Sequence, residues 1–462
     1  MLKLYNTLTK QLEEIPKQDH LNLYTCGPTV YNFAHIGNLR TYISSDLLYR
    51  VLKYEGYNPR WVMNITDIDD KTIKGAIEKH GKDASIQGLK DFTEEYTAAF
   101  LKDLREVNVL VDEISFIKVT DVIPQIQDFI VKLIDKGYAY KTEDGVYFSI
   151  EKYQKDFGDY GVLVGEKFLE GKKVGARVKV DEYEKDNLSD FALWKAYDET
   201  ADAQIFWDHP VLGKGRPGWH IECSVINDVA FKGKPTDIHT GAVDLIFPHH
   251  TNEIAQSQAL LGKGNFVKLW SHAEHLLVDS KKMAKSAGNF YTLADIKAKG
   301  FSPMDFRYSL LSANYRSQQN FTWEGLKASS VARSRLIGSL MGEAMGSNEG
   351  KIYKQNFLDS ISDDLNIPKA LSVAWDTLSD DAVLIENKVA TLMNFNSILG
   401  LGFDVAQKMV PINIQSLMDQ RVGAKQKKDF KQSDEIRKQI EALGYEVMDT
   451  PDGQKLKKKL SI

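Results

Sequence analysis

Residues 21–66 constrain the fold of this chain most. LNLYT, residues 21–25, is an apolar run of the length of a short buried strand. A Gly27-Pro28 turn follows, and then apolar residues recur at helical spacing from Asn38 to Tyr54. Gly56 and Pro59 end that helix, and RWVMNIT, residues 60–66, is a second β-rich run. Strand, turn, helix and strand in that order make a βαβ unit, whose right-handed crossover puts the two strands parallel in one sheet. Ligands of such sheets bind at the carboxyl ends of the strands. Cys26, one of only two cysteines, stands at that end.

At 462 residues the chain exceeds what one core supports, and several domains are expected. The α/β pattern of 1–112 reads as the first half of a Rossmann-like catalytic domain. Within 113–205 the stretch from 152 to 190 is polar, charged and glycine-spaced, which marks an inserted connective domain. GVYFSIEKY there reads as a strand. The α/β pattern resumes over 206–300, with strands at TDIHTG and NFVKLWS, and 301–330 links it onward. Residues 331–412 read as a helical bundle, and 413–462 as a small helical unit. That unit is basic: 421–462 hold eleven Lys/Arg and seven Asp/Glu, on a chain of net charge −5. A basic tail on an acidic body suits a nucleic-acid partner, and equally a solvated lysine-rich surface. The polar N-terminus is unlike a signal peptide, no apolar run is long enough to span a membrane, and two cysteines make no disulfide framework. A cytoplasmic location is the expectation.

Four positions could build a metal site: Cys26, Cys223 in GWHIECS, and His249 and Glu253 in FPHHTNE. With Pro248 as the first residue of a helix, His249 and Glu253 lie four apart on one face. Two thiolates, an imidazole and a carboxylate favour zinc. Spacing leaves His250 and His220 open as contributors, and it is also compatible with two buried structural cysteines. His35-Ile36-Gly37-Asn38 puts a histidine and a glycine at a helix N-terminus, where exposed N–H groups and the helix dipole attract phosphate. Lys281 to Asn289 (KKMAKSAGN) is a small-residue loop whose lysines can serve as mobile point charges for phosphates, or simply as solvated surface. The aspartates of TDIDDK, from Thr66 on, cap a helix or face the strand ends.

Taken together and in order, these motifs resemble the class I aminoacyl-tRNA synthetases, and within them the cysteinyl-tRNA synthetase family. CGPTVYNFAHIGN is similar to that family's zinc cysteine and "HIGH" signature, and KMAKS to "KMSKS". NITDIDDK, GKGRPGWHIECS and DIHTGAVDLIFPHHTNEIAQ resemble its substrate-pocket segments, and DDLNIPKAL and DEIRKQIEALGYEVMDTPDG its C-terminal helical segments. The chain departs from the family pattern at Thr240, Ala242, Thr251, Glu274 and Ala284.

The resemblance implies ATP-dependent activation of L-cysteine and its transfer to tRNA(Cys). It implies one Zn2+ per chain on Cys26, Cys223, His249 and Glu253, open to the substrate thiolate, and Mg2+ with the nucleotide. Thr66, Trp219 and Asp244 would line the cysteine pocket. Pro28, Thr29, His35, Gly37, Asn38, Lys282, Met283, Lys285 and Ser286 would hold ATP, with His35, Asn38 and Lys285 acting in catalysis. The tail at 413–462 would meet the tRNA anticodon, and a monomer is expected. Two alternatives stand beside this reading: a cysteine-activating ligase for a small amine, and a non-catalytic zinc- and tRNA-binding paralogue.

Overall fold

The computed structural model describes residues 1–462 except 159, 166–172, 179–186, 265, 284–287, 341–342, 344, 404–411, 452 and 459–462. Its centre is a five-stranded sheet in the order Val267–Ala273, Thr236–Ala242, Leu21–Thr25, Pro59–Ile65, Ile114–Lys118. Every neighbouring pair is parallel. The chain runs outward from Leu21–Thr25 to one edge and later fills the other side. The strand order therefore reverses between Leu21–Thr25 and Thr236–Ala242, and a crevice opens at such a switch point. Cys26 is the first residue past that strand.

The crossover helix spans Ile36–Tyr54. Its apolar side chains, among them Ile36, Leu39, Ile43, Leu48 and Leu52, are buried in a core shared with the later helices. Each contributes about 1.5–3 kcal/mol by leaving water. Cys26, Cys223 and Ile221 belong to a second core on the other side, with Trp194 and Phe148 of another sheet. The antiparallel strands of that sheet, Gly215–Pro217, Asn187–Ala196, Gly145–Phe148 and Ala139–Thr142, with Lys173–Val178 added in parallel on Asn187–Ala196, lie in sequence between the halves of the parallel sheet. Of the expected GVYFSIEKY strand, only Gly145–Phe148 is extended. Ser149 caps a helix over Ile150–Phe157, accepting from Lys152 N.

Helices Trp323–Leu340, Lys351–Ser362, Ile367–Ser379 and Ile385–Leu399 follow. A buried ion cluster fastens the last of these to the crossover helix. Asp46 accepts from Arg50 Nε (2.8 Å) and Arg307 Nη2 (2.6 Å), and those arginines donate onward to the carbonyls of Ser397 and Leu399. The C-terminal unit, expected from sequence to be helical, also holds strands. After Ile412–Gln426 and Phe430–Ala442 comes a hairpin, Tyr445–Thr450 with Gly453–Lys458, around its own small core. Of its strand residues only Tyr445, Val447 and Leu456 enter that core, too few to stand out as an alternating pattern in the sequence. Among the described residues no helix is long and apolar enough to cross a membrane.

Candidate active site

The turn after Leu21–Thr25 is pinned to the end of the neighbouring strand. Thr66 N donates to Pro28 O (3.0 Å), Val30 N to Thr66 O (3.1 Å), and Gly27 N to Asn64 Oδ1 (2.7 Å). A Cβ on Gly27 would sit 1.7 Å from Asn64 O, so only glycine allows this approach. The turn delivers Cys26 into a fully buried cluster. Its Sγ lies 3.7 Å from Cys223 Sγ, 3.9 Å from Glu253 Oε1 and 3.3 Å from His250 Nε2. His249 Nε2 lies 3.4 Å from Cys223 Sγ and 3.1 Å from Glu253 Oε1.

Two sets of four groups each bring their ligand atoms within 4.8 Å of one another: Cys26, Cys223, His249 and Glu253, and Cys26, His239, His250 and Glu253. The first is the set expected from sequence. The second adds His239, which the sequence reading missed. Its Nε2 lies 3.1 Å from Glu253 Oε2. It sits inside Thr236–Ala242, the strand that borders the switch point. His220, left open from sequence, belongs to neither set. It meets His249 from behind, Nδ1 to Nδ1, at 3.2 Å.

Phe247-Pro248 is cis, and Phe247 is the one non-helical residue of 246–250. From Pro248 the backbone is helical and runs on into Thr251–Leu261, as a proline at a helix start leads one to expect. His249 and Glu253 therefore converge.

This crowding of acidic and basic groups out of water has electrostatic consequences. Burial and the neighbouring Cys223 raise the Cys26 thiol well above its usual range. For Cys223 burial acts the same way, but hydrogen bonding to Cys26 and the charge of His249 outweigh it, bringing the thiol down to about 6. Burial opposes a charged His249, yet Cys223 and Glu253 push it up to about 10. Glu253, despite burial, is brought down to about 2 by His239 and His249. Without an ion, the pocket holds anions that recruit protons onto a histidine. A cation bonded to two sulfurs, an imidazole and a carboxylate would relieve that arrangement, so the donor set fits zinc.

The other expected residues lie around this pocket. The Trp219 ring packs on His249 with centroids 4.4 Å apart. Thr66 is 1% exposed, and its hydroxyl donates to Glu222 Oε2 (2.9 Å), so it is a buried, partnered group rather than an open contact. Asp244 is exposed. Its charge favours protonated His35, and adds to burial and Cys26 in raising the Tyr42 hydroxyl above its usual range.

His35 caps the crossover helix. Its Nδ1 accepts from Asn38 N (3.1 Å), and Asn38 Oδ1 accepts from His35 N (3.2 Å). An accepting Nδ1 leaves the ring proton on Nε2. Burial lowers the His35 pKa, partly offset by Asp244, which favours the neutral ring. Gly37 faces Met283: a Cβ there would lie 2.4 Å from Met283 Cε. The structure thus brings the His35 turn and the entry of the lysine loop together. Lys285 and Ser286, with Ala284, lie outside the described residues.

Two departures from the family pattern have evident partners. Thr240 Oγ1 bonds with Thr25 Oγ1 (2.7 Å) and Ser45 Oγ (3.0 Å), tying two strands and the crossover helix. Thr251 Oγ1 donates to Ile246 O (2.8 Å), bracing the turn that carries His249.

The fold and crevice are those of a class I tRNA synthetase, and the family described as the tRNA synthetases class I (C) catalytic domain matches residues 12–331. Solved structures agree in fold. A Mycobacterium tuberculosis methionyl-tRNA synthetase in complex with methionyl-adenylate aligns with TM-score 0.54 at 12% identity, over 84% of this chain and 92% of that one. The Agrobacterium radiobacter K84 agnB2 LeuRS of a LeuRS-tRNA-LeuAMS complex aligns with TM-score 0.58 at 9% identity, over 85% and 84%. At the level of sequence, a cysteine–tRNA ligase of Protochlamydia amoebophila is 43% identical over 99% of this chain and 98% of its own length. One from Brachyspira hyodysenteriae is 41% identical over 98% and 99%. The chain belongs to the cysteine–tRNA ligase family, and is a ligase by that membership. The two alternative readings find no support among these relatives, which match the chain from end to end.

Proposed function

We propose that this chain activates L-cysteine with ATP and transfers it to tRNA(Cys). The observation that carries this reading is the buried convergence of Cys26, Cys223, His249 and Glu253 beside Trp219, at the switch point of the sheet. Of the two sets sharing Cys26 and Glu253, the one with both sulfurs is preferred for zinc, a thiophilic ion. His249 in addition has His220 on its other nitrogen, the outer partner that metal-bound histidines usually keep. Zinc held there supplies a Lewis acid that favours the thiolate form of the substrate side chain.

The remaining work falls to the chain's own groups. Trp219 covers the side-chain end of the pocket, and Asp244 offers a carboxylate to the substrate ammonium. The substrate carboxylate is already a nucleophile at neutral pH, so its attack on the α-phosphate requires orientation and charge stabilisation rather than a base. His35 Nε2–H is a donor for a phosphate oxygen, fixed in that tautomer by Asn38 N. Pro28, Thr29, Gly37 and Asn38 border the nucleotide from the helix side. Lys282, Met283, Lys285 and Ser286 border it from the loop side, with Lys285 supplying positive charge. Mg2+ accompanies the nucleotide.

We assign 1–112 and 206–300 to the catalytic domain, 113–205 to the insertion, 301–330 to the link, 331–412 to the bundle and 413–462 to the anticodon-side unit. A monomer in the cytoplasm is our reading of its state and place. Incubating purified protein with tRNA(Cys), ATP and labelled cysteine tests the function. Label is expected on the tRNA 3′ end, and its absence with zinc-loaded, folded protein would overturn the reading.

A further inference from the structure

Arg40 lies five residues after His35 on the crossover helix and is 2% exposed. Among the described residues no carboxylate pairs with its guanidinium. Instead it donates to four main-chain carbonyls: Nη1 to Glu274 O (2.8 Å) and His275 O (2.5 Å), Nη2 to Asn314 O (3.3 Å) and Ser317 O (2.5 Å). Burial lowers its pKa to about 10, so it remains charged at neutral pH. A buried cation spent on neutral acceptors is costly unless every acceptor is held, so the site is strict about where those four carbonyls lie.

Those carbonyls belong to two segments that are far apart in sequence. Glu274 and His275 lead into the strand Leu276–Val278, and Asn314 and Ser317 precede the strand Gln319–Phe321. The two strands pair in parallel as a small platform. Val278 then bonds back to Lys281, and the chain enters the lysine loop. At the far end of the loop, Ile36 N donates to Tyr291 O (2.8 Å), and His35 bridges Thr292. Both ends of the loop are therefore referred to the same helix: the exit to its first turn, the entry to Arg40.

We propose that Arg40 is a positioning residue for the nucleotide step, fixing the platform from which Lys281, Lys282 and Met283 extend relative to His35. The role requires the forked guanidinium, because two carbonyls on each of two segments must be reached at once. A lysine ammonium on a flexible stem has three donors and no planar fork. Arg40 bonds to the carbonyl of residue 274, and the Glu274 charge also favours the guanidinium in its charged form. The Glu274 carboxylate itself accepts from His275 N (3.0 Å).

The inference rests on the proposed cysteine activation, and its test separates the two. Wild type, Arg40→Lys and Arg40→Gln are compared in cysteine-dependent ATP–pyrophosphate exchange, in bound zinc, and in amide hydrogen exchange. Arg40→Lys is expected to lower kcat by about tenfold or more and to raise the KM for ATP, as displaced catalytic groups do, with the KM for cysteine and zinc content unchanged. Peptides covering 274–291 should exchange faster, while those covering 59–65 and 367–379 should not. A kcat and an ATP KM within twofold of wild type would overturn the inference. So would a uniform rise in exchange across all peptides, which marks general destabilisation. A wild type inactive in exchange would instead sink the cysteine-activation reading, and the 274–291 peptides would then test the Arg40 tie by themselves.

Discussion

The two halves of the crevice are built by opposite means. Around Cys26 everything is side chain and buried: two sulfurs, three histidines and a carboxylate, close enough to shift one another's protonation. Around His35 the ring is partly exposed, and the contacts are mostly backbone, a helix cap and a loop referred to the helix at both ends. On the proposed function, the first half, fixed by packing, would recognise one chemical group, and the second would hold a flexible polyphosphate and adjust to it. Specificity and turnover could then be tuned separately.

Substitutions that act on one half and spare the other sharpen this comparison. The largest effect is expected from Cys223→Ser, which exchanges a soft ligand for a poor one. Bound zinc should fall well below one per chain, and cysteine-dependent exchange by more than about 100-fold, beyond what losing an outer partner alone causes. Metal analysis and exchange kinetics check this, and full activity without metal would break the comparison. His35→Ala comes next, removing a donor to the reacting phosphates. It should lower kcat by about 100-fold while cysteine KM and zinc content hold. His220→Asn removes the group behind His249 and should weaken zinc about tenfold, read by competition with a chelator.

The smallest effect on the crevice is expected from removing 413–462, a unit with its own core. Pyrophosphate exchange should stay within about twofold of wild type. Transfer to tRNA should weaken, and the lost affinity should be the salt-sensitive part, as lysines meeting phosphates require. Joint loss of exchange and transfer in a folded truncation would show that the crevice depends on the tail.

How much of this was legible in sequence follows the same division. The strands Leu21–Thr25 and Pro59–Ile65 and the helix between them were readable because each has a clear period and Gly or Pro at its ends. Cys26, Cys223, His249 and Glu253 were readable by residue type. His239 was not, because it sits inside a strand whose pattern is otherwise that of a core element. The helix start at Pro248 was readable too, since a proline suits a first helical turn, but the cis bond and the kink at Phe247 ahead of it carried no signal. Arg40 carried no signal at all. Its partners are main-chain carbonyls, which no residue type reveals, drawn from segments more than 230 positions away.

The central claim is that metal chemistry, rather than size, selects the substrate. Serine nearly matches cysteine in shape, and a pocket judging size alone would reject it poorly. The direct measurement is ATP–pyrophosphate exchange by zinc-loaded protein with cysteine and with serine, each over a full concentration range. The account predicts kcat/KM for cysteine higher by on the order of 10⁴, the scale reached when a site is built around one polar group. Robust serine-dependent exchange by the zinc-loaded protein would contradict it.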